Sequence, residues 1–225
     1  MKIVNLLGGI IMLVLILPAE HGTAQTEDDL IAAVAYQDLD KVKELINAGV
    51  DINYQTETQG VTALIMACQY NFVDIGTYLI EAGADFTLKM NTGHNALMAA
   101  ASMSKELFDL LVSKGADTSV KLEDGTSAFT ISVSGALSGH IGLEIAKTLL
   151  DKGADVDEAA NSGPTEGYTC LMMAAGNQRP DIVKFLVEEG ANLNAKAGDG
   201  TTPLSMAEKR NDPEMVALLK ELGAE

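Results

Sequence analysis

The chain has 225 residues, with 15 Lys and Arg against 32 Asp and Glu, and its formal net charge is −17 at pH 7. A surface of that sign repels nucleic acid and anionic lipid, which argues against functions that depend on binding either of them. The charge favours a basic partner, although a solvated acidic surface without any charged partner accounts for it equally well.

The first 24 residues have the layout of a secretory signal peptide. Lys2 supplies a short positive region, Ile3 to Leu17 form an apolar stretch, and Gly22-Thr23-Ala24 places small residues at the −3 and −1 positions. We therefore predict cleavage before Gln25, and a mature chain of residues 25–225 in the periplasm or outside the cell, free of the membrane. The alternative is an uncleaved anchor, but such a helix spans only about 22 Å of a ~30 Å hydrocarbon core.

A self-similar motif recurs along the rest of the chain. Gly-Ala-Asp or a close variant closes each unit, and its glycines are spaced by 34, 32, 38, 37 and 33 residues. A second glycine then leads the next unit and is followed by a sequence similar to Thr-x-Leu. The closing glycines are Gly49, Gly83, Gly115, Gly153, Gly190 and Gly223, and the leading glycines are Gly60, Gly93, Gly125, Gly167 and Gly200.

Each part of the motif has a physical role. A glycine after an apolar segment can take the left-handed conformation that ends a helix, and the second glycine allows a tight turn. The Ser or Thr that follows can cap the next helix. Ile182, Val183 and Leu186 illustrate the helical spacing of the second apolar segment. The pattern predicts an all-α solenoid of about six helix-turn-helix units, at approximately 26–59, 60–92, 93–124, 125–166, 167–199 and 200–225.

This pattern resembles the ankyrin repeat, in which a finger turn, Gly-x-Thr-Pro-Leu-His, two helices and Gly-Ala-Asp follow one another. The resemblance covers nearly all of the chain after residue 25. Only Pro203 fills the proline site, and no unit has the histidine, whose place is taken by Ile65, Met98, Thr130, Met172 and Ser205. In the family this histidine helps to join neighbouring repeats by hydrogen bonds. The resemblance therefore implies that apolar packing replaces polar coupling here.

We find no motif that indicates catalysis. His94 and His140 are each alone, and neither a phosphate-binding loop nor a nucleophile elbow is present. We therefore expect no enzyme activity, no metal site and no cofactor. Cys68 and Cys170 lie three units apart, or roughly 30 Å at ~10 Å per unit, whereas a disulfide needs Cα atoms within ~7 Å. We expect two buried thiols, with an intermolecular bridge as the alternative.

The resemblance implies that a protein partner binds the concave groove lined by the finger turns and the first helices. By their offsets, the residues after the leading glycines and those near the ends of the first helices face this groove. The candidate partner-binding residues are Tyr36, Val61, Tyr70, His94, Met103, Thr126, Tyr168 and Thr201. Tyr36 and Tyr70 could instead pack between repeats.

Unit four is longer than the others. Its leading and closing glycines are 28 residues apart, against 22 or 23 in units two, three, five and six. The surplus falls near residues 132–142 and predicts either a protruding loop or a lengthened first helix with a loop. Leu137 and His140 from this segment complete the candidate set. The connection from Gly153 to Gly167 is also long, and we interpret both insertions as functional, with neutral drift as the alternative.

Three functions fit these observations. The protein could be a general binding module or scaffold in the periplasm or outside the cell. It could be a dedicated inhibitor or protective partner of an exported enzyme, or an effector delivered to another cell. In each case we expect a monomer when free and an exported, basic protein as its partner.

Overall fold

The computed structural model describes residues 26–159 and 166–225, so the predicted signal peptide lies outside the described residues. These two ranges contain twelve α-helices and no strand beyond single bridged positions. The helices are α1 Glu27–Ala35, α2 Leu39–Asn47, α3 Ala63–Gln69, α4 Val73–Glu81, α5 Ala96–Met103, α6 Lys105–Ser113, α7 Ala128–Leu137, α8 Glu144–Asp151, α9 Cys170–Gly176, α10 Pro180–Glu188, α11 Pro203–Lys209 and α12 Pro213–Leu222.

The helices form two rows. Each odd-numbered helix packs against the even-numbered helix that follows it and against the odd-numbered helices of the neighbouring units. We call the odd-numbered helices the inner row and the even-numbered helices the outer row. Between units, the chain makes a finger, and isolated antiparallel bridges close three of these fingers, at Lys89 with Asn95, Lys121 with Ser127 and Ala159 with Thr169. The predicted six-unit all-α solenoid is confirmed.

The inner helices begin at the capping residues that the motif predicts. The Thr62 hydroxyl accepts a hydrogen bond from the amide of Ile65 (3.1 Å), and Asn95 does the same for the amide of Met98 (3.0 Å). Each such bond satisfies one of the amides that has no partner inside the helix. After the outer helix, glycine closes the unit. Gly153, with φ +96° and open space around its missing Cβ, is required by its backbone conformation rather than by crowding.

Apolar packing replaces the missing histidine in three units. Ile65, Met98 and Met172 are each at most 1% exposed, among the small residues of the inner row. Thr130 and Ser205 are half-buried and bond back to their own capping residues instead of to a neighbouring repeat. Within the described residues, the expected exchange of polar coupling for apolar packing is therefore confirmed at these three sites.

Both cysteines are buried free thiols, as the repeat spacing predicts. Burial raises the pKa of Cys68 to about 12, and burial together with the nearby carboxylate of Glu158 does the same for Cys170. Neither sulfur is available to a solvent-borne reagent while the chain is folded.

The unit-four insertion is a lengthened helix with a short loop, which is the second of the two predicted alternatives. Helix α7 has ten residues, whereas α3, α9 and α11 have seven. It passes very close to α5, because a Cβ on Gly135 would lie 2.7 Å from the carbonyl oxygen of Ser102. The first half of the insertion is therefore part of the packed stack.

Charged groups join unit four to both of its neighbours, units three and five. Lys121 pairs with the buried carboxylate of Glu158 (2.8 Å), and Lys147 on α8 pairs with Glu189 beyond α10 (2.9 Å). Ser127, the cap of α7, also donates to Glu158. The other ion pairs in the described parts of the chain join residues of the same unit. The other units are joined by hydrogen bonds as well as by apolar packing, for example from the amide of Asp85 to the Asn53 side chain (2.8 Å), but by no ion pair in the described residues.

Candidate protein-binding surface

The fingers and the accessible side of the inner row form the surface that the sequence predicts to bind a partner. Tyr36, at the end of α1, is 64% exposed and is the only largely exposed large apolar side chain in the described residues. Tyr70 occupies the same position at the end of α3, but it is half-buried and stacks on Phe72 with ring centroids 5.8 Å apart. Tyr36 is therefore free for a partner, whereas Tyr70 presents only part of its ring.

Two predicted groove residues are not on the surface, and the prediction is wrong for both. Val61 is 2% exposed and lies beneath the finger. Its carbonyl oxygen accepts a hydrogen bond from the amide of Thr56 (3.0 Å), which holds it there. Thr201 is also 2% exposed. Lys209 donates to the Thr201 hydroxyl (3.0 Å), and Tyr168 lies on its other side (3.4 Å), so these two side chains cover it.

The equivalent residues of the other fingers are half-buried and make contacts within the fingers. The His94 ring nitrogen Nδ1 lies 3.0 Å from the Thr92 hydroxyl. The amide of Thr126 donates to the carboxylate of Asp124 (2.9 Å). The Tyr168 hydroxyl donates to Asp199 of the next finger (3.3 Å). These residues are positioned to support the fingers and to present one edge each to a partner.

The remaining candidates lie at the far ends of the inner helices. Met103 ends α5 and Leu137 ends α7, and both are half-buried, while His140 is exposed in the loop after α7. Together with Tyr36 and Tyr70, these residues follow one edge of the inner row. His94, Thr126 and Tyr168 follow the other edge, so the structure divides the candidates into two lines rather than one cluster.

Sequence reasoning missed the residues between these two lines. The position that follows the missing histidine is half-buried in four neighbouring inner helices, at Ala99, Ile131, Met173 and Met206. In α3 the same position, Met66, is 2% exposed. Helices α3, α5, α7 and α9 contain no charged residue at all. We call their accessible side the groove floor. The fixed offset from the histidine site was the signal that could have revealed it.

The tips of the fingers are acidic. We define the finger tips as residues 57–59, 90–92, 122–124, 166 and 197–199, which precede the leading glycines. They carry five exposed carboxylates and no basic side chain, and the carboxylates are Glu57, Glu123, Asp124, Glu166 and Asp199. Hydrogen bonds from Thr126 and Thr201 lower the pKa of Asp124 and of Asp199, so both are ionised at neutral pH.

The parts of the chain that the structure describes contain no group of three His, Cys, Asp or Glu side chains that could hold a metal ion. No helix within these parts is long and apolar enough to cross a membrane.

Comparison with known families shows which family this chain belongs to. The family profile described as ankyrin repeats (three copies) matches residues 30–122 and again residues 123–225. The chain belongs to the ankyrin-repeat family. The resemblance inferred from the repeated glycines and caps is thus confirmed along nearly the whole of the described chain.

The relatives of this ankyrin-repeat chain include proteins of very different size. It is 31% identical over 202 residues to the Escherichia coli protein YahD, an ankyrin repeat protein by name, with 87% of this chain and 96% of that protein covered. It is 28% identical over 190 residues to human neurogenic locus notch homolog protein 1, covering 84% of this chain. It spans only 7% of the length of that notch protein.

Two solved structures share the ankyrin-repeat architecture. The human ASB11 ankyrin repeat domain matches with a TM-score of 0.73 and 29% identity, over 87% of this chain and 84% of that one. A chain in the complex of the predatory endopeptidase Bd0816 from Bdellovibrio bacteriovorus with immunity protein Bd3460 matches with a TM-score of 0.72 and 27% identity. That match covers 85% of this chain and 96% of the other.

Proposed function

We propose that this protein is a non-catalytic protein-binding module that acts in the periplasm or outside the cell through its concave groove. Ankyrin repeats are protein-protein interaction modules, and this chain consists of little else after residue 25. The observation that carries the proposal is the groove floor. The three adjacent inner helices α5, α7 and α9 contain no charged residue and present half-buried apolar side chains, at Ala99, Ile131 and Met173, beside exposed finger tips. An apolar strip with a polar border is typical of a surface that another protein covers.

The exported setting rests on the N-terminal sequence. The positive residue Lys2, the apolar stretch from Ile3 to Leu17 and the small residues before Gln25 support export and removal of the leader. A second observation favours a narrower function, that of a dedicated inhibitor or protective partner of an exported enzyme. A structure similar to this chain over 85% of its length comes from a complex of an endopeptidase with an immunity protein.

The test is capture of a partner with residues 25–225 as bait, followed by mass spectrometry, from the envelope fraction and culture medium of the source organism. The groove variant Ile131→Lys/Met173→Lys alters the floor, and the control Asn47→Lys/Ala217→Lys adds the same charge at exposed positions of α2 and α12. We expect the unaltered bait and the control to capture the same protein and the groove variant to lose it. Equal capture by all three baits would contradict the proposed site.

The narrower function has its own readout. If the captured protein is an enzyme, the purified bait should lower its activity in proportion to the bait added, and the groove variant should not. If the enzyme keeps full activity when it is saturated with bait, the inhibitor function is contradicted. The general binding module then remains as the proposed function.

A further inference from the structure

The charges of the finger tips differ in kind from those of the outer row. Five of the six outer helices carry both acidic and basic residues, and several of these pair within the helix, as Lys105 does with Asp109. The finger tips carry carboxylates only. The nearest basic residues in the same fingers, Lys89, Lys121 and Lys196, lie before the tips, and Lys121 is already paired with Glu158.

The uncompensated carboxylates border an uncharged strip. Glu57, Glu123, Asp124 and Glu166 lie in the fingers that precede the inner helices α3, α7 and α9. The inner row becomes charged only at its ends, with the acidic start of α1 and with Lys209 and Arg210 at the end of α11. Half-buried apolar side chains on the uncharged helices α5, α7 and α9 therefore lie beside carboxylates on the fingers that precede α3, α7 and α9.

We infer that the partner is a cationic protein surface with an apolar centre, and that it docks its apolar side chains on the groove floor and its Lys or Arg side chains on the finger tips. This inference rests on the proposed binding function and adds the chemistry of the partner. An apolar contact that excludes water strengthens the ionic contacts at its border. The unpaired carboxylates also attract a cationic partner before contact and repel an acidic one.

The hydrogen bonds of the finger tips suit this role. The carboxylates of Asp124 and Asp199 are held by the amides of Thr126 and Thr201 at 2.9 and 2.8 Å. These bonds fix the carboxylates in place and keep them ionised, so less side-chain freedom is lost when a partner binds. Glu57, Glu123 and Glu166 are exposed and can be altered without removing such a bond from a finger.

The experiment uses the mature chain and a synthetic helical peptide of about 18 residues, long enough for five turns, with Leu on one face and Lys on the other. One control peptide replaces every Lys with Glu, and a second keeps the Lys residues and replaces every Leu with Ser. Affinities are measured by fluorescence anisotropy at about 50 and 300 mM NaCl, because added salt weakens ionic contacts between exposed groups. We expect the Leu/Lys peptide to bind at least tenfold more tightly than either control peptide. Its affinity should be lower at about 300 mM than at about 50 mM NaCl.

Two charge variants locate the site. The tip variant is Glu57→Lys/Glu123→Lys/Glu166→Lys, and the outer-row variant is Glu81→Lys/Glu106→Lys/Glu188→Lys, which changes the net charge equally at exposed positions. Circular dichroism establishes that both are folded. We expect the tip variant to bind the Leu/Lys peptide at least tenfold more weakly than the outer-row variant does. Equal effects of the two variants would overturn the inference, as would tight binding of the Glu peptide or of the Ser peptide.

The captured partner separates this inference from the proposed function. A partner that depends on Ile131 and Met173 but is indifferent to the tip variant would overturn the cationic chemistry and leave the binding function standing. A partner indifferent to both the floor and the tips would overturn the proposed site itself.

Discussion

Arg179 of unit five caps the inner helix of unit four. Its Nη1 atom donates to the main-chain carbonyl oxygen of Ala136 at 2.7 Å and to that of Leu137 at 3.0 Å, at the end of α7. The other side of the guanidinium forms a forked pair with Asp181, at 3.0 and 2.8 Å. The last carbonyls of a helix lack partners within it, and a cation there also complements the helix dipole. One side chain thus joins two units at the position of the insertion.

We expect Arg179→Ala to lower the free energy of unfolding by about 1–2 kcal/mol, the worth of charged hydrogen bonds reduced for partial exposure. Arg179→Lys should recover only part of the loss, because an ammonium cannot make the forked contact. Urea unfolding of residues 25–225 measures both changes. Lys184→Ala, at an exposed position on α10, is the control. An Arg179→Ala variant as stable as this control would show that the carbonyls are satisfied equally well by water.

The two buried glycines near the ends of α7 and α9 should respond differently to replacement by alanine. At Gly135 a Cβ would meet main-chain atoms of Ser102 at 2.7 and 2.9 Å, which cannot move without shifting α5. At Gly176 it would meet the Cγ of the flexible Met206 side chain at 2.9 Å. Overpacking of a core costs ~1–3 kcal/mol, and alanine in a helix recovers ~1 kcal/mol.

We therefore expect Gly135→Ala to lower the melting temperature and Gly176→Ala to leave it nearly unchanged. Differential scanning calorimetry of the two variants beside the unaltered protein tests this. A loss for Gly176→Ala as large as that for Gly135→Ala would contradict the distinction between rigid and flexible neighbours. The same contact leads us to expect that deletion of residues 135–139 destabilises the stack.

The turn between the inner and the outer helix offers a route to stabilisation. Gln37 and Gln178 have φ of +58° and +57°, and Asn71 and Asn211 have φ of +56° and +54°. The left-handed region costs roughly 1 kcal/mol for most side chains, but asparagine tolerates it better. We expect Gln37→Gly and Gln178→Gly each to gain about 0.5 kcal/mol, and Asn71→Gly and Asn211→Gly to gain less.

All four of these positions are exposed, so the substitutions change backbone freedom and little else. Urea unfolding of the four single variants ranks them. Equal gains for the Asn and Gln positions would refute the assignment of the difference to backbone conformation.

The two cysteine thiols should not react with thiol reagents in the native protein. Burial raises the pKa of Cys68 and of Cys170 to about 12, so neither forms a thiolate at pH 8. We expect no reaction with a thiol reagent such as 5,5′-dithiobis(2-nitrobenzoate) at pH 8, and reaction of both cysteines in denaturant. Rapid labelling of the native chain at either cysteine would reveal opening of the stack at that unit.

The repeated glycines and caps were enough to predict the fold. Thr62 and Asn95 cap helices where the motif places them, and the helices follow at the expected intervals. These features depend on neighbours along the chain and on a stacking rule that every unit shares, so they can be read locally. The signal peptide predicted for residues 1–24 stays a prediction, since it lies outside the described residues.

The candidate site was only partly predictable. Val61 and Thr201 share an offset with His94 and Thr126, yet both are buried, because the cover over each depends on the length and side chains of its own finger. In the same way, nothing in the sequence near Ala136 indicates that Arg179, 43 residues away, caps it.

The family, the approximate number of units, the glycines and caps that delimit the helices, and the burial of both cysteines could all be predicted from the sequence. Only the folded structure shows which groove positions are open, that the unit-four surplus lengthens α7, and that charged groups join unit four to both of its neighbours. The physical reason is distance along the chain. Caps and turns form between residues a few positions apart, whereas exposure and contacts between units depend on side chains that only stacking brings together.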